Sequence, residues 1–167
     1  MKMLPALIAS TLLTMLPAFA DQTLTARDVG VTINVPDNWI HDDADHFGYA
    51  IRPKDEQKEN IRIHLTAHAG RSPEKAIELG AAKVNEIRAR KGLPPEKILT
   101  QKPIKTKSGL AGAAAEIAQS GEKSYLTRIY IQHPDGRIFC VCIYHYGDMK
   151  FAKEAKNRIL GSLRIAT

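Results

Sequence analysis

The sequence predicts an α+β protein in which one central antiparallel β-sheet carries helices on both faces. Three strand-like segments, 111–119, 124–132 and 137–146, follow one another with only short turns between them, which is typical of consecutive antiparallel hairpins. One segment with helical periodicity precedes these hairpins and another follows them. Helices in these positions can cover opposite faces of the same sheet.

The first 20 residues have the pattern of a secretory signal peptide. Lys2 is the only charged residue before Asp21, and residues 4–16 are almost entirely apolar. This run is shorter than the roughly 20 residues that span a bilayer, which disfavours the alternative of an uncleaved membrane anchor. An A-x-A pattern ends at Ala20 and predicts cleavage before Asp21. Residue 21 is not a cysteine, so no lipid anchor is expected.

The remaining residues, 21–167, are expected to form a single exported domain. Only Lys2 of the 24 basic residues is lost with the signal peptide, so 23 remain against 18 acidic residues, a formal net charge of +5. The basic residues are interspersed with acidic ones, which disfavours nucleic-acid binding. We expect a protein of the periplasm or the medium, without stable membrane insertion.

Three short strands are predicted before the first helix. Segment 30–36 alternates apolar and polar residues and ends at a proline, which cannot donate to a β-ladder. Segments 49–53 and 61–67 follow, and the odd-numbered residues of the latter are apolar. Trp39 lies between the first two strands. A lone tryptophan there either fills one side of the core or marks a ligand cleft, and the core position is the commoner one.

Ser72 begins the first predicted helix. Serine is a favoured N-cap, and Pro73 and Glu74 suit the first turn. Basic residues followed by Gly92 indicate its end, and a strand at 97–103 follows. The predicted apolar stripe of this helix consists of Ala76, Ile77, Gly80, Ala81, Val84 and Ile87.

The last two elements are a central strand and a C-terminal helix. Segment 137–146 is apolar on both faces, which is typical of a strand covered on both sides, so we expect it in the middle of the sheet. Asp148 is the predicted N-cap of the helix. Its apolar stripe consists of Ala152, Ala155, Ile159 and Leu160.

The order of these elements resembles the PsbP-like superfamily, which includes PsbP and DcrB-like envelope proteins. The local matches are Val35-Pro36-Asp37-Asn38-Trp39 after the first strand, the helix start at Ser72, and Ile159-Leu160-Gly161-Ser162-Leu163 near the end. The resemblance implies an αβα sandwich over nearly all of residues 21–167. Members of the superfamily share a fold and not a function, so it implies no catalytic residues.

The two cysteines, Cys140 and Cys142, are separated by a single residue in the predicted central strand. An extended strand places their Cα atoms about 6.6 Å apart with both side chains on one face, whereas a disulfide requires Cβ atoms about 4 Å apart. They are expected to be reduced, buried thiols that act as small apolar side chains. A redox pair is the alternative, because export allows oxidation.

The segment 41–46 is the one metal-like cluster in the sequence. It contains His41, Asp42, Asp45 and His46, and imidazole and carboxylate groups together suit divalent transition metals. A helical turn would bring His41 near Asp45 and Asp42 near His46. The spacing matches no zinc signature, and a solvated acidic loop is the simpler interpretation.

The sequence contains no recognisable catalytic or nucleotide-binding motif. His145 ends the central strand, but no nucleophile or carboxylate is placed by sequence to complete a triad, so we expect a buried, hydrogen-bonded histidine. No glycine-rich phosphate loop is present. We therefore expect an exported, non-catalytic binding or accessory protein of the cell envelope, without a cofactor, that contacts an envelope protein. The alternative is a metal-binding protein or small metal-dependent enzyme using His41–His46.

Overall fold

The computed structural model describes residues 21–27, 29–42, 49–54, 60–65, 71–119 and 125–166. The predicted signal peptide, Asp45 and His46 lie outside these ranges. The elements in chain order are β1 (Asp21–Ala26), β2 (Val31–Pro36), β3 (Trp39–Asp42), β4 (Tyr49–Pro53), β5 (Asn60–Leu65), α1 (Pro73–Arg90), β6 (Glu96–Lys105), β7 (Ala111–Gln119), β8 (Tyr125–Gln132), β9 (Ile138–His145), α2 (Met149–Ser162) and β10 (Arg164–Ile165).

The main sheet has seven strands in the order β3-β4-β5-β9-β8-β7-β6, and every neighbouring pair is antiparallel. Strand β9 is the fourth of the seven, so its predicted central position is confirmed. A separate sheet of three strands has the order β1-β2-β10. It joins the first described strand to the last one, because β10 pairs with β2.

Both faces of β9 are buried, as its composition predicts. Phe139, Val141 and Ile143 pack into one core with β2 of the small sheet and with α2. The alternate residues, which include Cys140 and Cys142, pack into a second core with the start of α1. The α+β class and the αβα layering are therefore confirmed. The small sheet lies on the same side of the main sheet as α2.

The caps of both helices agree with the sequence prediction. Ser72 Oγ accepts a hydrogen bond from the backbone N–H of Lys75 at 3.2 Å. Asp148 Oδ1 accepts from Lys150 N and Phe151 N at 2.9 and 3.0 Å. These bonds satisfy N–H groups that have no partner within the helix. Within the described ranges, neither helix is long and apolar enough to cross a membrane.

The stripe predicted for α1 is wrong at its C-terminal end. Ile87 is 43% exposed, whereas Arg88 is buried. Successive helical residues point about 100° apart, so only one of the two can face the sheet. Arg88 occupies the inward position because its Nε donates to the carbonyl oxygen of Pro94 at 2.6 Å, which ties the helix end to the connector before β6.

Candidate functional site

The predicted metal ligands are only partly described by the structure. His41 is exposed and lies in β3 opposite Ile51 of β4. Asp42 ends the same strand, so these two residues lie in a strand and not in a helical turn. Across the described ranges, no group of three or more His, Cys, Asp or Glu residues could hold a metal ion. Metal binding by His41, Asp42, Asp45 and His46 stays a prediction, which elemental analysis and a His46→Ala variant would test.

A cleft of about 280 Å³ lies between α2 and the main sheet. Two of its lining residues are hydrogen-bonded to each other: Thr127 Oγ1 donates to Glu116 Oε2 at 2.6 Å. Lys156 Nζ lies 3.4 Å from the other oxygen of Glu116. We call this the α2 cleft. The residues that line it are Glu116, Thr127, Met149, Ala152, Lys153 and Lys156.

His145 lies at the end of β9, near the α2 cleft. Its side chain is buried, at 1% exposure, but neither ring nitrogen has a hydrogen-bond partner among the described groups. The prediction of burial is confirmed, and no described group supplies the predicted hydrogen bond. The ring stacks on Tyr125, with 6.0 Å between centroids. Burial lowers the pKa of His145, and the charges of Glu116 and Asp148 oppose that shift only in part.

Three large side chains are exposed at this end of the sheet, and we call them the rim cluster: Tyr125, Tyr146 and Met149. Tyr125 is the cross-strand partner of His145, Tyr146 follows His145, and Met149 begins α2 after a turn at Gly147. Their exposed fractions are 42%, 50% and 60%. Tyrosine and methionine are enriched in protein interfaces, so this surface has the composition of a binding site.

The helix next to the rim cluster is basic. Met149–Ser162 contains Lys150, Lys153, Lys156 and Arg158 but only one acidic residue, Glu154. Arg158 pairs with Asp21 of β1 at 2.7 Å, which ties α2 to the small sheet. Helix α2 therefore places a net positive charge next to the rim cluster. Such a surface favours an acidic partner.

Trp39 has a mixed role in the structure. It packs against the α2-side core and stacks on Phe151, with ring centroids 5.7 Å apart and planes inclined by 21°. It is also only partly buried and borders a groove of about 510 Å³ between α2 and the small sheet. The predicted core position is confirmed, and the groove beside it keeps a ligand site open as an alternative.

A buried polar cluster lies on the opposite face of the main sheet. Arg128 Nη2 is 2.9 Å from one oxygen of Glu96 and donates to the other at 3.1 Å. Gln119 donates to the same carboxylate at 2.8 Å. The backbone N–H of Glu96 donates to Asn85 of α1 at 2.6 Å. This cluster links α1, β6 and β8, and it reaches the two cysteines of β9.

The architecture is similar to that of solved structures. The solution structure of cyanobacterial PsbP (CyanoP) from Synechocystis sp. PCC 6803 matches with a TM-score of 0.66 and 12% sequence identity, over 88% of this chain and 93% of that one. The chain has the PsbP-like fold. At this identity the comparison shows the fold alone, and it assigns no role to any residue.

Two other solved structures match less closely. A protein of unknown function from Pseudomonas aeruginosa is 15% identical over 84% of this chain and 93% of that one, with a TM-score of 0.44. A structure from Bacteroides thetaiotaomicron VPI-5482 is 16% identical over 83% of this chain and 46% of that one, with a TM-score of 0.47. No protein-family model matches the chain, and no curated protein sequence is significantly similar to it.

Within the PsbP-like fold, sequence reasoning missed most of the rim cluster and the α2 cleft. Met149 lies three residues before Ala152 and so continues the apolar stripe of α2, but that pattern predicts a buried side chain, whereas Met149 is exposed. Tyr125 and Glu116 had no comparable signal. Their neighbours depend on the register between β7, β8 and β9, which the sequence does not specify.

Proposed function

We propose that this protein is an exported, non-catalytic binding or accessory protein of the cell envelope, and that it contacts a partner protein through the rim cluster. The exposure of Tyr125, Tyr146 and Met149 at one end of the main sheet carries the proposal. Each of these side chains would bury a large area on association, and exposed apolar groups of this kind are typical of interaction sites.

The charge of α2 indicates what kind of partner fits. Lys150 and Lys153 lie within one turn of Met149, so the apolar group has a basic neighbour. Basic residues at the edge of an interface mainly accelerate association with an acidic surface. The partner surface is thus expected to have an apolar centre with carboxylates around it.

Export is supported by the sequence pattern of residues 1–20 and by the predicted cleavage before Asp21. The PsbP-like fold is compatible with an accessory role, because it occurs without a common catalytic site. Fold alone does not assign function, so the proposal depends on the surface.

Site-specific photo-crosslinking tests the interface. A photoreactive phenylalanine analogue would replace Tyr146 in one variant and Leu99 in a control variant. Leu99 is 49% exposed and lies in edge strand β6, two strands away from Tyr125 in the main sheet. We expect one envelope protein to be crosslinked from position 146 and not from position 99.

The crosslinked protein would then be purified, and its affinity measured by calorimetry. Truncating a central aromatic residue of an interface typically costs about 2 kcal/mol or more, so Tyr146→Ala should weaken binding about 30-fold. Leu99→Ala should leave the affinity unchanged, and Lys150→Glu/Lys153→Glu should mainly slow association. Equal crosslinking from both positions, or an affinity insensitive to Tyr146→Ala, would refute the proposal.

A further inference from the structure

The two cysteines form a preorganised pair on the α1-side face of the central strand. Cys140 and Cys142 are both buried and unbridged, and their Sγ atoms are 3.4 Å apart. Residues two apart in a strand point to the same face, so β9 itself holds the thiols in contact. Burial among apolar groups would by itself make them inert, but their neighbours are not all apolar.

Cys142 lies between two arginines. Its direct cross-strand partners are Arg62 of β5 and Arg128 of β8. Residues directly opposite each other in antiparallel strands have Cβ atoms only about 5 Å apart and share a face. Arg128 is buried, and its Nη1 has no hydrogen-bond partner among the described groups. This thiol therefore has cationic neighbours on both sides, which favours its thiolate form.

The two thiols have different environments. The pKa of Cys142 is lowered by a hydrogen bond from Cys140 and by the Arg128 guanidinium, while burial and the Glu96 carboxylate oppose the shift. The pKa of Cys140 is raised well above its ordinary value, mainly by burial. Cys140 is paired with His64 of β5 and with Tyr130 of β8, and Tyr130 carries no charge at neutral pH. The pair thus contains one thiol whose pKa is lowered and, beside it, one whose pKa is raised.

A metal cation fits this place poorly. Two arginines flank Cys142, so a cation would meet repulsion from both sides. His64 lies opposite Cys140 in the register of β5 and β9, but among the described residues no group of three or more His, Cys, Asp or Glu could hold a metal ion. Thiol–disulfide exchange needs only a thiolate and a neighbouring thiol, and the structure provides both.

A reaction at buried Cys142 requires access from the side of the sheet on which α1 packs. Helix α1 packs chiefly on β6, β7 and β8, and β9 lies beyond them in the sheet. Arg62 and Tyr144, which are half-buried, lie next to Cys142 on this side, with the guanidinium 5.4 Å from the ring centroid. A reaction at this sulfur therefore requires these two side chains to rotate away from it.

We propose that Cys140 and Cys142 form a reversible, redox-sensitive dithiol in which Cys142 reacts first. The Cys142 thiolate attacks one sulfur of a small external disulfide, the disulfide bond breaks, and one thiolate leaves. Cys140 then transfers its proton to the released thiolate and attacks the Cys142 sulfur, which releases the second thiolate. Two electrons pass from the dithiol to the external disulfide, and an intramolecular disulfide remains.

This disulfide would be easily reduced. The strand holds the two Cα atoms about 6.6 Å apart, near the upper limit for a disulfide. Strained disulfides have more oxidising potentials and are the labile, regulatory ones. The proposal therefore predicts reversibility in a mild redox buffer, which distinguishes this pair from a structural disulfide.

The first experiment measures the reactivity of Cys142 alone. Folded Cys140→Ala protein, comprising residues 21–167, would be mixed with dithiodipyridine at pH 7, with Arg62→Gln added in a second variant. If Arg62→Gln raises the Cys142 pKa by about one unit, the thiolate fraction falls about tenfold. The more basic thiolate is about threefold more nucleophilic, so a net slowing of about threefold is expected.

Arg137→Gln is the matched control, because it removes one arginine from the exposed turn before β9. It should leave the rate unchanged. If the native protein reacts only as fast as it unfolds, and Arg62→Gln has no effect, then Cys142 is an inert buried thiol and the proposal is wrong.

The second experiment tests the pair. Wild-type protein would be incubated with an excess of oxidised glutathione, which is a stronger oxidant than oxidised dithiothreitol, then alkylated, and its mass would be measured by mass spectrometry. We expect a monomer lighter by two hydrogen atoms that takes up no alkylating agent and returns to the dithiol on reduction. A persistent mixed disulfide on Cys142, or two alkylated thiols after prolonged incubation, would refute the role of Cys140.

Discussion

At the scale of single residues, His145 is the least expected feature of the structure. A buried imidazole normally forms at least one hydrogen bond, yet here both ring nitrogens lack a partner among the described groups. Burial lowers its pKa, so the folded protein holds the neutral ring. In the unfolded chain a histidine has a pKa of about 6.5. Below that pH the unfolded state binds a proton that the folded state does not.

The stability of the protein should therefore fall as the pH decreases from about 6.5, until the pKa of the folded state is reached. His145→Phe keeps a ring against Tyr125 but removes this titration. As the pH falls from 7.5 to 5, wild type should lose stability that the variant keeps. The free energy of unfolding of the variant minus that of wild type should therefore increase. Urea titrations would measure it, with exposed His41→Gln as the control for loss of a histidine. A stability difference between His145→Phe and wild type that does not change with pH would contradict a lowered pKa for His145.

Gly80 allows α1 to pack closely against the main sheet because it has no side chain. A Cβ atom built on Gly80 would overlap the Tyr130 hydroxyl, whose ring is buried between α1 and the sheet. The absence of a side chain therefore lets the helix approach β8. Sequence periodicity placed Gly80 in the apolar stripe, but only the structure shows that its lack of a Cβ is what matters.

We predict that Gly80→Ala destabilises the protein by about 1–3 kcal/mol, as overpacking usually does. Gly161→Ala is a matched change, because Gly161 lies in α2 and a Cβ there would meet no atom within 4 Å. Alanine has the higher helix propensity, so that variant should gain up to about 1 kcal/mol. Equilibrium unfolding in urea would measure both, and equal effects at the two glycines would contradict the packing argument.

At the scale of elements, the buried polar cluster connects α1 to the main sheet. Glu96 and Arg128 have almost no exposed side-chain surface. Asn85 accepts from the backbone N–H of Glu96, and its amide donates to the Glu96 carbonyl oxygen at 3.2 Å. These two hydrogen bonds align Asn85 of α1 with Glu96 of β6. A buried pair of this kind costs much free energy when only one partner is lost.

Arg128→Met is expected to lower the free energy of unfolding by about 3–5 kcal/mol, because it leaves the Glu96 carboxylate buried beside an amide only. Arg137→Met is the control, since its pair with Asp135 is about two-fifths exposed and should contribute less than about 1 kcal/mol. In a double-mutant cycle, Glu96→Gln/Arg128→Met should cost clearly less than the sum of the single changes. Additive costs would show that the two groups do not interact.

The elements also differ in how far the sequence could predict them. Strand β7 has the predicted bounds and β8 and β9 lie within one residue of theirs, because each combines strong alternation or full burial with a clear turn. Strands β1, β3 and β10 were missed. Strands β3 and β10 have only four and two residues, and β1 begins directly after the predicted signal peptide. Pairing with a neighbouring strand, and not a pattern of their own, makes these segments strands.

The candidate sites were harder to predict than the fold for the same reason. Cys142 meets Arg62 and Arg128 only because β5, β9 and β8 are neighbours in a particular register. The sequence separations are too large for any local pattern to indicate this. Residues of the rim cluster likewise come from β8, the turn after β9 and the start of α2.

At the scale of the whole molecule, the two ends of the described chain meet in the small sheet. Strand β1 begins at Asp21 and pairs with β2 along its full length, while β10 pairs with the other edge of β2. Cleavage before Asp21 leaves this sheet intact. Cleavage a few residues later would remove partners of β2, and it would also remove the Asp21–Arg158 ion pair between the small sheet and α2.

We therefore expect the full chain, expressed with its own first 20 residues in a Gram-negative host, to be found in the periplasm with Asp21 as its N-terminus. Intact-mass analysis and N-terminal sequencing of the osmotic-shock fraction would measure this. Ala20→Arg should block processing, because signal cleavage requires a small residue at that position, whereas Gln22→Ala, just after the site, should be processed normally. Unprocessed wild-type chain in the cytoplasm would contradict export, and with it the assignment of the partner to the cell envelope.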